Sequence, residues 1–162
     1  MDRLWAPWRS KYLYLRKNKR CIFCGNSKAG AFDRSRYIIE RSDHSFSMLN
    51  LYPYNNGHMM VAPFRHVKDI ASLSDEELSD IMKLVKKSLK TLDKRLKPHG
   101  YNIGMNLGKV SGAGFAGHIH VHIVPRWTGD TNFMPLLSHT KVVSESLEAM
   151  FRTLKAGGTS RD

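Results

Sequence analysis

The stretch Gly117-His118-Ile119-His120-Val121-His122-Ile123-Val124-Pro125 constrains the fold more than any other part of this chain. Histidine alternates with β-branched residues, and in an extended strand successive side chains point to opposite faces. Residues 117–125 are therefore expected to form a strand. Ile119, Val121 and Ile123 would pack into a core, while His118, His120 and His122 line one exposed or cleft-facing row. Three imidazoles on one face repel when protonated and pack poorly, so a sheet gains no stability from them. The row points to chemistry: a metal site or a phosphate-handling nucleophile. Alternation alone does not choose between the two.

A second cluster of chemically active residues lies far upstream. The two cysteines, Cys21 and Cys24, are spaced C-x-x-C and followed by Gly25. That spacing suits half of a tetrahedral metal site or a redox pair better than a structural disulfide. No thioredoxin-like βαβ pattern accompanies it, which favours the metal, and histidines must then complete the ligand set. A chain of 162 residues with 41% hydrophobic content suits one domain spanning 1–162. It has no apolar run of membrane-spanning length and no secretory pattern, so a soluble, cytoplasmic protein is expected. The net charge of +12 predicts affinity for polyanions, whether nucleotides or nucleic acid, although solubilising charge accounts for part of it.

Taken in order, residues 1–20 form a basic aromatic arm carrying Trp5, Pro7, Trp8, Tyr12 and Tyr14. Two tryptophans flanking a proline are costly to expose, so docking on the domain or a second subunit is expected ahead of nucleic-acid binding. Residues 36–40 and 45–51 read as paired strands, and His58–Pro63 as a third, reached through the turn residues 52–57. Asn50 and His58 flank that turn. They could converge on a ligand, or Asn50 could simply cap the turn. Ser74 and Glu77 form a capping box, opening a long helix with an apolar stripe of Leu78, Ile81, Met82, Val85, Leu89, Leu92 and Leu96. Lys83, Lys86, Lys87, Lys90 and Lys94 fall largely off that stripe, as a solvated face would. Pro98-His99-Gly100 stops the helix. After a strand over 101–106 comes Leu107-Gly108-Lys109-Val110-Ser111-Gly112-Ala113-Gly114, whose backbone amides can approach a phosphate closely. Residues 140–155 are expected to hold a C-terminal helix, and 156–162 to fray.

These residues together resemble the histidine triad superfamily. His118-Ile119-His120-Val121-His122-Ile123-Val124 fits its His-φ-His-φ-His-φ-φ signature. Asn50, Gly57-His58 and Val61-Ala62-Pro63 resemble its nucleoside-binding hairpin, and Asn106 and Gly108 its loop before the triad. The flanks, Leu4-Trp5-Ala6-Pro7-Trp8-Arg9 and Pro125-Arg126-Trp127, look like the bacterial branch related to diadenosine tetraphosphate phosphorylases. The resemblance implies an α+β fold: an antiparallel sheet with one long central helix and a C-terminal helix, commonly in a homodimer. It implies an enzyme, a nucleotide hydrolase or nucleotidyltransferase, in which the central His attacks the α-phosphorus and water or phosphate resolves the nucleotidyl-histidine. His120 is then the nucleophile, with its other nitrogen donating to a backbone carbonyl. His122 contacts the phosphate and the oxygen bridging to the leaving group, and His58 supports the cluster. Asn50 holds the ribose, with Asn106, Gly108, Gly112, Ala113 and Gly114 near the phosphates.

Where hydrolases of that family often carry Gly-Gln-Ser, this chain has Ala113-Gly114-Phe115, which leaves hydrolysis and phosphorolysis both open. Relatives with Cys-x-x-Cys imply a structural zinc held by Cys21, Cys24, His66 and His118, with His44 as the rival to His66. Two other functions stand against the enzyme with a nucleophilic His120. One is a non-catalytic nucleotide or nucleic-acid binding module. The other is a hydrolase whose catalytic zinc is held by all three triad histidines.

Overall fold

The computed structural model describes residues 21–26, 33–108, 110–131 and 144–156. The expected basic arm over 1–20, and residues 157–162 of the expected tail over 156–162, lie outside the described residues.

Strand β1 (Ile38–Arg41) pairs antiparallel with β2 (Ser45–Leu49), and β2 with β3 (Met59–Pro63). The turn between β1 and β2 is closed by Ser42, whose N–H donates to the Ser45 carbonyl at 2.9 Å. Beyond β3 the chain enters helix α1 (Asp75–Leu96), then β4 (Gly100–Met105), β5 (Val121–Arg126) and helix α2 (Leu147–Lys155). Among the described residues the sheet has five strands in the order β1-β2-β3-β5-β4, and every pairing is antiparallel. The fold is α+β, as the pattern of strands around one long helix implies.

Helix α1 begins where its cap dictates. The Ser74 hydroxyl accepts from Glu77 N–H, and the Glu77 carboxylate accepts from Ser74 N–H at 2.9 Å, satisfying two otherwise orphaned donors. Arg65 donates to the same carboxylate through Nε at 2.8 Å, and this contact holds the Glu77 carboxyl down at about 2. The helix ends with Lys97 in the left-handed region, φ 47°, before Pro98. Lys83, Lys86, Lys87, Lys90 and Lys94 on its outer face are all exposed, as a solvated face requires. The apolar stripe differs in one member: Met82 is 55% exposed, and Leu84 is buried in its place. Ile81, Leu84, Val85, Ser88 and Leu92 recur at i, i+3, i+4, i+7 and i+11 and form the face that meets the sheet.

The sheet has a core on each side. On the helical side Leu49, Met59, Val61, Val121 and Ile123 pack against α1 and the α2 residues Met150, Phe151 and Leu154. On the other side Phe23, Ile38, Phe46, Met48, Met60 and Ala62 form a second cluster. A fully buried side chain of this size contributes about 2 kcal/mol. The alternation therefore sends Ile119, Val121 and Ile123 to the helical core, as expected, and the histidines to the opposite face.

The histidine segment corrects one expectation. The strand begins at Val121 rather than Gly117, because Ile119 N–H donates to the Val67 carbonyl at 2.7 Å in the segment after β3. Of the two settings expected for the row, an exposed one does not apply: His118 and His120 are only 1% and 6% accessible, and His122 is half-buried. Of the expected helix over 140–155, residues 140–143 lie outside the described residues and the helix itself starts at Leu147, capped by Ser146.

Candidate active site

Three imidazoles meet on the face of β3 and β5 away from α1. The β3–β5 register sets Met60 opposite His122, and β3 is entered directly from His58. His58 is fully buried; its ring lies 5.1 Å from that of His122, which in turn lies 4.7 Å from that of His120.

Fixed backbone groups decide which nitrogens carry protons. Tyr54 N–H donates to His58 Nδ1 at 3.0 Å, so the His58 proton is on Nε2. That Nε2–H donates to His122 Nδ1 at 2.9 Å, which puts the His122 proton on its own Nε2. His120 Nδ1–H donates to the His118 carbonyl at 2.9 Å, leaving the His120 Nε2 lone pair uncommitted by that bond. Burial favours the neutral rings. It pushes His58 down to about 3, reinforced by His122 and His120, and His122 down to about 4, reinforced by His120. It lowers His120 as well, against the opposing pull of the His118 carbonyl. A neutral imidazole with one lone pair and a neighbouring N–H donor is the equipment for attack on phosphorus with a hydrogen bond to the departing oxygen.

Asn50 is 8% exposed, and its side-chain carbonyl accepts from Tyr52 N–H at 2.9 Å, as a turn cap does. Its amide nitrogen lies 3.4 Å from both ring nitrogens of His58. The β4–β5 register sets Gly104 opposite His122, and half-buried Asn106 follows directly on the end of β4. The glycine loop leans on its own backbone: Ser111 Oγ donates to the carbonyls of Leu107 and Gly108. Gly108 and Gly112 have φ of 78° and 86°, where an L side chain is strained, and open space surrounds Gly108, Gly112 and Gly114. Ala113 is half-buried.

A second group stands next to the first. Cys21, Cys24, His66 and His118 offer ligand atoms that all lie within 4.8 Å of one another. Cys24 Sγ is 3.0 Å from His66 Nδ1, and Cys21 Sγ is 3.3 Å from His118 Nδ1. His118 Nε2–H donates to the Pro63 carbonyl at 2.9 Å, which turns its Nδ1 lone pair to the thiols. Two soft sulfurs and two imidazole nitrogens at this spacing can hold a metal ion. His44 is not among them; it is exposed, and its N–H donates to Asp80 Oδ2 at 3.1 Å. No disulfide joins the cysteines.

The HIT domain family model matches residues 33–129. This chain belongs to the HIT family. Over 161 residues it is 37% identical to an AP-4-A phosphorylase of Mycobacterium tuberculosis, covering 95% of this chain and 83% of that one. It is 34% identical over 106 residues to an adenosine 5'-monophosphoramidase of Schizosaccharomyces pombe, covering 65% and 74%. Among solved structures, a Zn-bound histidine triad family protein from Mycobacterium smegmatis superposes with a TM-score of 0.65 at 27% identity, covering 84% and 91%. The protein is thus a HIT-family enzyme, a nucleotide hydrolase or transferase.

Two features of this HIT site are not visible as motifs. Tyr54 lies over both rings of the proton chain, 4.7 Å from His58 and 5.9 Å from His122. Phe115 meets Phe23 nearly at right angles at 6.2 Å and packs with the second core.

Proposed function

We propose that this enzyme cleaves dinucleoside polyphosphates of the diadenosine tetraphosphate type, or related nucleotides, at the α-phosphorus through a nucleotidyl-His120 intermediate. The observation that carries this reading is the His120 tautomer: Nδ1–H is tied to the His118 carbonyl, and Nε2 keeps its lone pair. In the first step a bond forms from His120 Nε2 to phosphorus. The bond from phosphorus to the leaving oxygen breaks, its electron pair stays on that oxygen, and the group departs as a nucleotide anion while His122 Nε2–H donates a hydrogen bond to it and keeps its proton. In the second step phosphate or water attacks phosphorus, the attacking group's proton passes to solvent, and the bond to His120 breaks with its electron pair returning to Nε2. His58 keeps His122 in the tautomer that can donate. Asn50 would bind the ribose, and Asn106, Gly108, Gly112, Ala113 and Gly114 the phosphates. The likeness to an AP-4-A phosphorylase supports the substrate class, and the likeness to a monophosphoramidase supports attack at an α-phosphorus.

The same reading assigns a structural zinc to Cys21, Cys24, His66 and His118, supported by the donor set and the Zn-bound relative. With all four positions filled by protein, such a zinc is closed to substrate. A cytoplasmic setting suits thiols that must stay reduced. A homodimer suits the edge strand β4, whose Ile103 is 46% exposed and whose outer edge pairs with no other strand among the described residues. Sedimentation at micromolar concentration tests it.

Incubation with diadenosine tetraphosphate, with and without phosphate, tests the reaction. ADP and ATP formed only with phosphate mean phosphorolysis; AMP formed in water means hydrolysis. His120→Asn is expected to lose turnover by at least about a thousandfold while still binding nucleotide. Wild-type turnover in that variant refutes the nucleophile. Salt-sensitive RNA or DNA binding with no cleavage of any nucleotide would favour the binding module.

A further inference from the structure

Phe23 lies between the two cysteines of the metal cluster, yet its ring reaches the nucleophile. Its centroid is 4.8 Å from that of His120 with the planes 32° apart, and 5.1 Å from that of His118. It is 1% exposed, backed by Phe46 at 6.5 Å and met edge-on by Phe115 at 6.2 Å. Its main chain is held on both sides, because Cys21 and Cys24 point their sulfurs at His118 and His66.

Besides the His122 ring, which meets it nearly at right angles at 4.7 Å, two contacts of different kinds restrain His120. The hydrogen bond from Nδ1 to the His118 carbonyl holds one edge of the ring. The Phe23 face, tilted by 32°, limits the remaining motion of the ring plane, and with it the direction in which Nε2 aims its lone pair. Attack on phosphorus depends steeply on that direction. A leucine of similar bulk fills the space without supplying a flat face.

We propose that Phe23 is a positioning residue for the His120 nucleophile, and that the Cys21–Cys24 clip acts on the reaction through this ring. The inference rests on the reading of His120 as nucleophile. It gives the metal cluster a part in catalysis without contact between metal and substrate: the ion holds the cysteines, the cysteines hold the Phe23 backbone, and Phe23 sets the imidazole plane.

The test compares Phe23→Leu with Phe46→Leu, which removes a ring from the same core but none from His120. Phe23→Met replaces the leucine variant if that one does not fold. Three readouts are taken on the full-length, zinc-loaded protein: kcat and KM on diadenosine tetraphosphate, metal content, and the proton shifts of the His120 ring, identified by their loss in His120→Asn. Phe23→Leu is expected to lower kcat about tenfold with KM within about twofold and metal content unchanged. It also moves the His120 ring protons downfield as the ring current disappears. Phe46→Leu leaves kcat and those protons near wild type. Removing the metal by chelation moves the same resonances in wild type but not in Phe23→Leu. Equal kcat losses in the two leucine variants, or His120 protons unmoved in Phe23→Leu, overturn the proposal; resonances unmoved by chelation overturn the coupling to the clip. If wild type turns over no nucleotide, the reading of the nucleophile fails instead, and the resonances still test the contact between the rings.

Discussion

Three of the tautomers in the site are set by backbone groups that cannot titrate, and His122 takes its own from His58. The Tyr54 amide sets His58, the His118 carbonyl sets His120, and the Pro63 carbonyl sets His118. The pH dependence of stability follows from the most buried ring. His58 titrates near 6.5 when unfolded and at about 3 when folded, because burial disfavours its cation. Between those values the unfolded chain binds the extra proton, so stability rises with pH across the window. The contribution is complete above about pH 6.5 and is lost as pH falls toward 3. One such group gives a slope of about 1.4 kcal/mol per pH unit. His58→Asn should be less stable than wild type at pH 7.5, with a gap that narrows by about that amount per unit on acidification. Urea unfolding at pH 7.5 and pH 5 checks this; a gap of constant size refutes it. At this scale much was legible in advance, because the alternation that marks His118, His120 and His122 is a backbone property. The direction of each proton was not, since it depends on carbonyls and amides brought in by the fold. Nor was the contact of Phe23 with His120, since in sequence Phe23 is merely an apolar residue inside Cys-x-x-Cys.

At the scale of elements, helix α1 could be placed to within a residue from its cap and its stop. Its buried face was misjudged at one position because an exposed methionine and a buried leucine look alike in composition. Polar residues on the same face conceal the true register. Asp80 turns inward to accept from the hydroxyls of Ser42 and Ser45 at 2.7 and 2.6 Å and from His44 N–H, clamping the helix to the β1–β2 turn. Desolvation alone would raise the Asp80 carboxyl, but those donors together lower it. The start of the histidine strand was hidden for a similar reason: its first residues bond to Val67, a partner no local pattern announces. Two substitutions test element ends. Ser74→Ala should cost about 1 kcal/mol in urea unfolding by removing one half of the capping box. Gly57→Ala should cost more, about 1–3 kcal/mol. Gly57 has φ 70°, and a Cβ there would lie 2.5 Å from Leu96 Cδ1. A neutral Gly57→Ala would show that the turn before His58 can relax without strain.

For the whole molecule, the organising fact is that the sheet carries two cores and the chemistry lies on the side without the long helix. On that side the chain has few means of closing itself. The second core is small, and its Phe23 comes from a segment joined to the sheet largely by side chains of the metal cluster. Cys21 and Cys24 meet His66 and His118 across 42 to 97 residues of sequence, so an ion held there closes two long loops at once. Without an ion, burial and the neighbouring Cys21 thiol push the Cys24 thiol up, which disfavours the thiolate; a cation reverses that preference. Because binding selects the folded arrangement, its free energy adds to stability. Removing the metal is therefore expected to lower Tm by about 5–10 °C, the shift that 2–3 kcal/mol produces in a domain of this size. Cys24→Ser should match the chelated wild type, and added chelator should not lower its Tm further. Differential scanning calorimetry with metal analysis reads all three samples. The helical side contains none of the four ligands, so the loss should come as premature opening of the Phe23 segment, seen as faster amide exchange at residues 21–24 than along α1. Uniform loss of protection over the sheet and α1 together would mean that the ion stabilises the domain as a whole and is no local clip.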